Sequence, residues 1–245
     1  MKNICLILQY VGTNYCGFQK QKNGLSIQEV LESTIFETTG EKVKTIPSGR
    51  TDKGVHALGQ VVNFLTSSTI PAEKFKVVLN LHLPKDIRVI KSCEVDLKFN
   101  SRKNAKQKTY EYKMFVGEEL SAFDQDRCLL VKYKLDLKQM NVAAMKFLGF
   151  HDFSSFVASG YTTKTTIRTI YDSHFEVRNG YLYYVVTGNG FLYNMVRIIV
   201  GTLLEVGRGK MSINQIDELL KGNNRQNAGK TVSPAGLYLK EVKYL

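Results

Sequence analysis

The spacing of apolar positions changes period several times along the chain. Ile4 to Tyr10 is an apolar run of strand length, bounded by a Gly-containing loop. Ser26, followed three residues later by Glu29, has the form of a capping box, and the spacing predicts an amphipathic helix over Ser26–Thr38. An extended stretch follows to Thr66, then a helix near Ala72–Leu81 and a strand near Ile87–Val95. The second half opens with a strand, Lys108–Val116, and a helix, Leu137–Leu148. A long hairpin is expected over Thr166–Thr187. Asn179-Gly180 supplies its type I′ turn, and Tyr181–Val186 is β-branched and aromatic. Helices over Leu192–Val206 and Ile213–Lys221 and a last strand, Leu237–Tyr244, complete the pattern. The fold class is therefore α+β, with helices packed on a largely antiparallel sheet. In coarse outline the pattern runs twice. The basic stretch Arg102–Lys108 marks the boundary, separating an N-terminal half, 1–103, from a C-terminal half, 104–245.

Composition narrows the class. Hydrophobic residues make up 43% of the 245 and charged residues 23%, a globular balance with enough apolar material for a sizeable core. No apolar run reaches bilayer length, so no membrane span is expected. Met1–Leu8 is too brief for a secretion signal, and Gln9 and Tyr10 follow where small residues would be needed. Cys5, Cys16, Cys93 and Cys128 form no C-x-x-C pair. His56, His82, His151 and His174 are scattered. Neither a metal site nor a disulfide framework is expected, and reduced thiols in a cytoplasmic protein account for the cysteines. The net charge of +12 points to a polyanionic partner, nucleic acid first among them. A solvated basic surface would give the same figure.

Three segments are candidates for chemistry. In Ser48-Gly49-Arg50-Thr51-Asp52-Lys53-Gly54-Val55-His56-Ala57, glycines bracket an arginine, an acid and a lysine just before a strand at Gln60–Leu65. Such loops let a ligand approach the backbone closely. A plain turn in which Asp52 bonds its own backbone has the same spacing. Between Phe191 and Val206 the charged residues are Arg197 and Glu205. A helix so apolar should be buried, and a buried guanidinium calls for a carboxylate. Glu205 is too far along the helix, which makes Asp52 the candidate partner; the alternative is that Arg197 reaches solvent along its stem. Third, Tyr110 and Tyr112 share one face of a strand behind the basic stretch, an arrangement suited to unstacked bases and phosphates, although tyrosines are also ordinary strand residues.

These segments together resemble the tRNA pseudouridine synthase A family. Gly49–Ala57 is similar to its catalytic signature, Lys108-Thr109-Tyr110-Glu111-Tyr112 to its second motif, and Phe191–Gly207 around Met195-Val196-Arg197 to its third. Gly12-Thr13, Gly17-Phe18-Gln19, His151-Asp152-Phe153 and Pro234–Leu239 extend the likeness from the first strand to the last. The resemblance implies isomerisation of uridine to pseudouridine without cofactor or metal. The C1′–N1 bond breaks, the base turns, and a C1′–C5 bond forms. It makes Asp52 the essential carboxylate, by covalent attack or assisted elimination at the sugar. It pairs Arg197 with Asp52, places Tyr110 against the target base, gives Arg50 the flipped uridine, and puts Leu237 in the pocket wall. Flipping is needed because a stacked base cannot rotate in place. The implied fold is two similar halves with a continuous sheet and a central basic cleft. The implied partner is tRNA, modified in the anticodon stem-loop at positions 38–40 in tRNA numbering, and the implied assembly is a homodimer. Val11 and Phe18 stand where the family usually has Asp and Trp, and Lys53 where many bacterial members have a small residue. They leave ribosomal RNA as an alternative substrate, and a non-catalytic RNA-binding protein as an alternative of another class.

Overall fold

The computed structural model describes residues 1–22, 24–160, 163–222 and 224–244. The chain divides into two compact units, Met1–Lys106 with Tyr238–Leu245, and Gln107–Leu237.

In the first unit, β1 (Lys2–Tyr10) leads to α1 (Ile27–Thr39), β2 (Ile46–Pro47), β3 (His56–Thr66), α2 (Phe75–His82) and β4 (Ile87–Val95). Ser26 caps α1 by accepting from Glu29 N at 3.2 Å, and Gly40, at φ 72°, ends it. β1 lies between β4 and β3, antiparallel to both, and β2 pairs with the outer part of β3. Ile4 faces Phe64 and Leu6 faces Val62 across the β1–β3 ladder, and this face is buried with Leu31 and Ile35 of α1 and Phe75 and Leu79 of α2. The opposite face is closed by polar contacts. Asn3 Nδ2 donates to the Asp96 and Phe99 carbonyls, and Asn63 Oδ1 accepts from the Ser101 hydroxyl at 2.7 Å. That closure explains why Ile4–Leu8 reads as a continuous apolar run rather than an alternating one.

The second unit contains β5 (Gln107–Val116), β6 (Leu129–Val131), α3 (Leu137–Met145), β7 (Gly149–Asp152), β8 (Ile167–Arg178), β9 (Tyr181–Gly188), α4 (Met195–Gly207) and α5 (Ile213–Lys221). The strand order is β5-β9-β8-β7, antiparallel throughout, with β6 parallel to β5. The β8–β9 turn has Asn179 at φ 51° and Gly180 at φ 79°, as a type I′ turn requires. Tyr112 and Tyr184 face each other across β5–β9, and the Ser173 hydroxyl ties Tyr184 to the Ala144 carbonyl of α3. β10 (Leu237–Lys243) belongs from Tyr238 onward to the first unit, where Tyr238 pairs parallel with His56 of β3.

The mixed, mostly antiparallel α+β class is as expected, and three helices differ at their ends. α2 begins at Phe75 rather than Ala72, after a 3-10 turn over Ala72–Lys74. α3 stops at Met145 rather than Leu148, because the amides of Lys146, Phe147 and Leu148 tighten to i−3 carbonyls before Gly149 turns at φ 97°. α4 begins at Met195 rather than Leu192, because Asn194 is left-handed at φ 59°. Among the described residues no helix is long and apolar enough to cross a membrane, and all four cysteines are free thiols.

Candidate active site

Asp52 sits between β2 and β3, half-buried, in a loop clamped from three directions. Its carbonyl accepts from Val55 N at 3.1 Å, closing a turn with Gly54 at φ 77°. The turn expected from the spacing is therefore present, made by the backbone. From the β1 side, Phe18 N donates to Thr51 O at 3.0 Å. Gly17 lies so close that a Cβ there would come within 2.8 Å of that carbonyl. A Cβ on Gly12 would come within 2.0 Å of Val55 O, and Gly12 N donates to His56 Nδ1 at 3.0 Å. His56 is buried, and its ring lies 4.7 Å from that of Tyr238.

From beneath, the loop rests on buried polar side chains. Tyr10 Oη and Thr51 Oγ1 are 2.8 Å apart. Gln60 Nε2 donates to Gly49 O at 2.9 Å, and Ser48 Oγ donates to Gln60 Oε1 at 2.6 Å. Burial pushes the Tyr10 phenol up to about 12, against the opposing pull of its bonds to Thr51 and Gln60. Arg50, one residue beyond Gly49, is exposed.

Arg197, Tyr110 and Leu237 belong to the second unit. Every residue of α4 except Arg197 and Glu205 is buried. The half-buried Arg197 does not simply extend into solvent: Nε donates to Val232 O at 2.7 Å and Nη1 to Asn194 Oδ1 at 2.6 Å. The segment carrying Val232 lies hard against α4. A Cβ on Gly201 would meet Lys230 O at 1.9 Å, and Gly229 N donates to Thr202 Oγ1 at 2.9 Å. The same segment reaches β5, where Tyr112 Oη donates to Ser233 O at 2.6 Å and Gly236 packs on the Tyr112 ring. Burial holds the Tyr112 phenol well above the usual range, with the Arg197 charge pulling the other way. Arg197 and Leu237 are thus gathered around the β5 strand that carries Tyr110. Tyr110 is itself buried, edge-on to Phe191 at 5.1 Å. Among the described residues no group of three His, Cys, Asp or Glu side chains is gathered as a metal site.

Residues 6–102 and 143–245 match the family described as tRNA pseudouridine synthase. The chain belongs to the tRNA pseudouridine synthase family. It is 48% identical over 244 residues to tRNA pseudouridine synthase A of Acetivibrio thermocellus, 45% to that of Clostridium botulinum and 46% to that of Clostridium acetobutylicum, covering all of both chains in each case. The matched stretches contain Asp52, Arg50, Arg197 and Leu237. Tyr110 lies between them, within the span covered by the full-length relatives.

Several residues of this tRNA pseudouridine synthase family member escaped the sequence reading. Tyr10 ends an apolar strand and reads as one more strand aromatic, and Gln60 reads as an ordinary polar strand position. A signal does exist: Gln60 and Asn63 stand among the apolar residues Val61, Val62, Phe64 and Leu65 of β3. Both prove to be buried, and buried amides need partners.

Proposed function

We propose that this protein isomerises uridine to pseudouridine in the anticodon stem-loop of tRNA, at positions 38–40 in tRNA numbering, with Asp52 as the carboxylate acting at the sugar. The observation that carries the reading is the clamped loop. In a member of this family, the half-buried Asp52 projects from a backbone held by Phe18, Val55 and the tight approach of Gly12 and Gly17.

In the proposed reaction the C1′–N1 bond breaks with its electron pair passing to the uracil. The base rotates, C5 bonds to C1′, the C5 proton leaves and N1 gains one, so the product is an isomer of the substrate. Asp52 stabilises the electron-poor sugar carbon, as a nucleophile or by assisting elimination. Arg197 is its proposed partner, favouring the ionised carboxylate. The bonds to Val232 and Asn194 support this role by fixing how the guanidinium is presented. Tyr110 lies against the base, near the departing C5 proton. Arg50, being exposed, meets the flipped nucleotide, and Leu237 lines the pocket. The proposal extends to two similar halves sharing a continuous sheet with a central basic cleft, and to a homodimer acting on tRNA in the cytoplasm, on the strength of the family likeness.

Pseudouridine mapping in tRNA and ribosomal RNA from cells lacking the protein, complemented with wild type or Asp52→Ala, tests the reading. The expected result is loss of tRNA pseudouridine at positions 38–40, restored by wild type alone. Unchanged tRNA with altered ribosomal RNA would move the activity to the other substrate. Restoration by Asp52→Ala would remove Asp52 from the mechanism, and no change in either RNA would leave a binding protein.

A further inference from the structure

We propose that Tyr10 and Gln60 are positioning residues for Asp52, acting through a buried hydrogen-bond chain, Ser48–Gln60–Tyr10–Thr51, that sets the backbone from which the carboxylate projects. The inference rests on the reading of Asp52 as the acting carboxylate.

The direction of the chain follows from its partners. The Gly49 carbonyl can only accept, so the Gln60 amide must present its nitrogen there, at 2.9 Å. That places Oε1 toward the Ser48 hydroxyl, which donates at 2.6 Å. The second amide hydrogen of Gln60 is directed at Tyr10 Oη, 3.5 Å away. Tyr10 Oη then accepts from Gln60 and shares a hydrogen bond with Thr51 Oγ1 at 2.8 Å. Ser48 and Gln60 have no exposed surface, and Tyr10 and Thr51 have almost none.

A neutral buried hydrogen bond returns little net stability, and an apolar core of the same shape would serve packing as well. What the chain adds is position. It holds Gly49, immediately before Arg50–Thr51, by its carbonyl, and Thr51 by its hydroxyl. Phe18 and Gly17 hold Thr51 by its carbonyl from the other side, and Val55 N holds the carbonyl of Asp52. The backbone on both sides of the carboxylate is therefore fixed before substrate arrives. None of the four side chains is placed to meet RNA. Loosening the chain should cost alignment at the sugar carbon rather than tRNA affinity.

Steady-state kinetics of the full-length protein on tRNA tests this. Tyr10→Phe and Thr51→Val should each lower kcat by about 10-fold or more, with KM moving less than about twofold. Thr51→Ser should recover most of the turnover lost in Thr51→Val. The Tyr10→Phe/Thr51→Val double variant should be no slower than the slower single variant, because both cut the same chain. tRNA binding at wild-type Kd reports that each variant is folded, and Thr51→Val probes the chain from its loop end should Tyr10→Phe destabilise the core. Wild-type kcat in both single variants, a loss confined to KM, or multiplicative losses in the double variant would each overturn the proposal. Asp52→Asn is measured alongside. If it stays active, the reading of Asp52 fails. If it is inactive while Tyr10→Phe and Thr51→Val both turn over normally, this inference alone fails.

Discussion

Gln60 has no exposed surface and sits in a strand beside Val61, Val62 and Phe64. It is tolerated there because both ends of its amide are bonded. Tyr10, next in the chain, carries a consequence for pH. Its phenol is pushed from 10 to about 12 by burial. Between those values the unfolded chain has lost the proton that the folded protein keeps. Stability is therefore intact below about pH 10 and falls by roughly 1.4 kcal/mol per pH unit for this group as pH rises toward 12. Chemical denaturation across that range should show a shallower loss in Tyr10→Phe than in wild type; parallel curves would contradict the assignment. Arg197→Met leaves the Val232 carbonyl and Asn194 amide oxygen without their donor. It should destabilise by about 1–3 kcal/mol as well as slow turnover, read from denaturant midpoints and tRNA kinetics together. Near-wild-type turnover in that variant would argue against pairing with Asp52. Arg197 was conspicuous in the sequence because it and Glu205 are the charged residues of a largely apolar segment. Its carbonyl partner was not, because Val232 lies 35 positions away.

At the scale of elements, glycines set the spacing between α4 and the 229–232 segment and between the Gly12 loop and the Asp52 loop. Gly201→Ala would drive a methyl into Lys230 O, and Gly12→Ala into Val55 O, both backbone atoms that cannot swing aside. Each should destabilise by about 1–3 kcal/mol or more, measured by denaturant titration. Gly12→Ala should also lose turnover, since the strand of backbone it pushes is the one that follows Asp52. A Gly12→Ala protein with unchanged stability would show that the close approach is not real. The long elements were legible. The capping serine, the Asn179-Gly180 turn and the apolar run of α4 are local signals, and the structure honours them. β6 and β7, three and four residues long, were not, because so short a stretch carries no period and exists through its neighbour strand.

For the whole molecule, the excess of +12 charges should make tRNA binding depend steeply on salt. KM should rise at least about 10-fold between roughly 50 and 200 mM monovalent salt while kcat changes little. A flat KM would mean that the charge serves something other than substrate. The proposed homodimer predicts a light-scattering mass of about twice 27.8 kDa; a mass of one chain at assay concentration would dismiss it. The last strand illustrates what this scale adds. Leu237–Lys243 ends the chain, yet Tyr238 and Leu239 pair with His56 and Ala57, just after the Asp52 loop. Hydrophobic periodicity shows that such a strand exists but not where it lies.

The sequence by itself determined the class of fold, the extent of the longer strands and helices, the family, and the loop that carries Asp52. All of these depend on residues close together in the chain, or on motifs recognised in order. Only the tertiary structure decided how that loop is held. Thr51 meets Tyr10 across 41 positions, Tyr10 meets Gln60 across 50, and Gly12 meets His56 across 44. No local period encodes such pairs. They arise when β1 and β3 align side by side and bring buried polar groups together that must then satisfy one another.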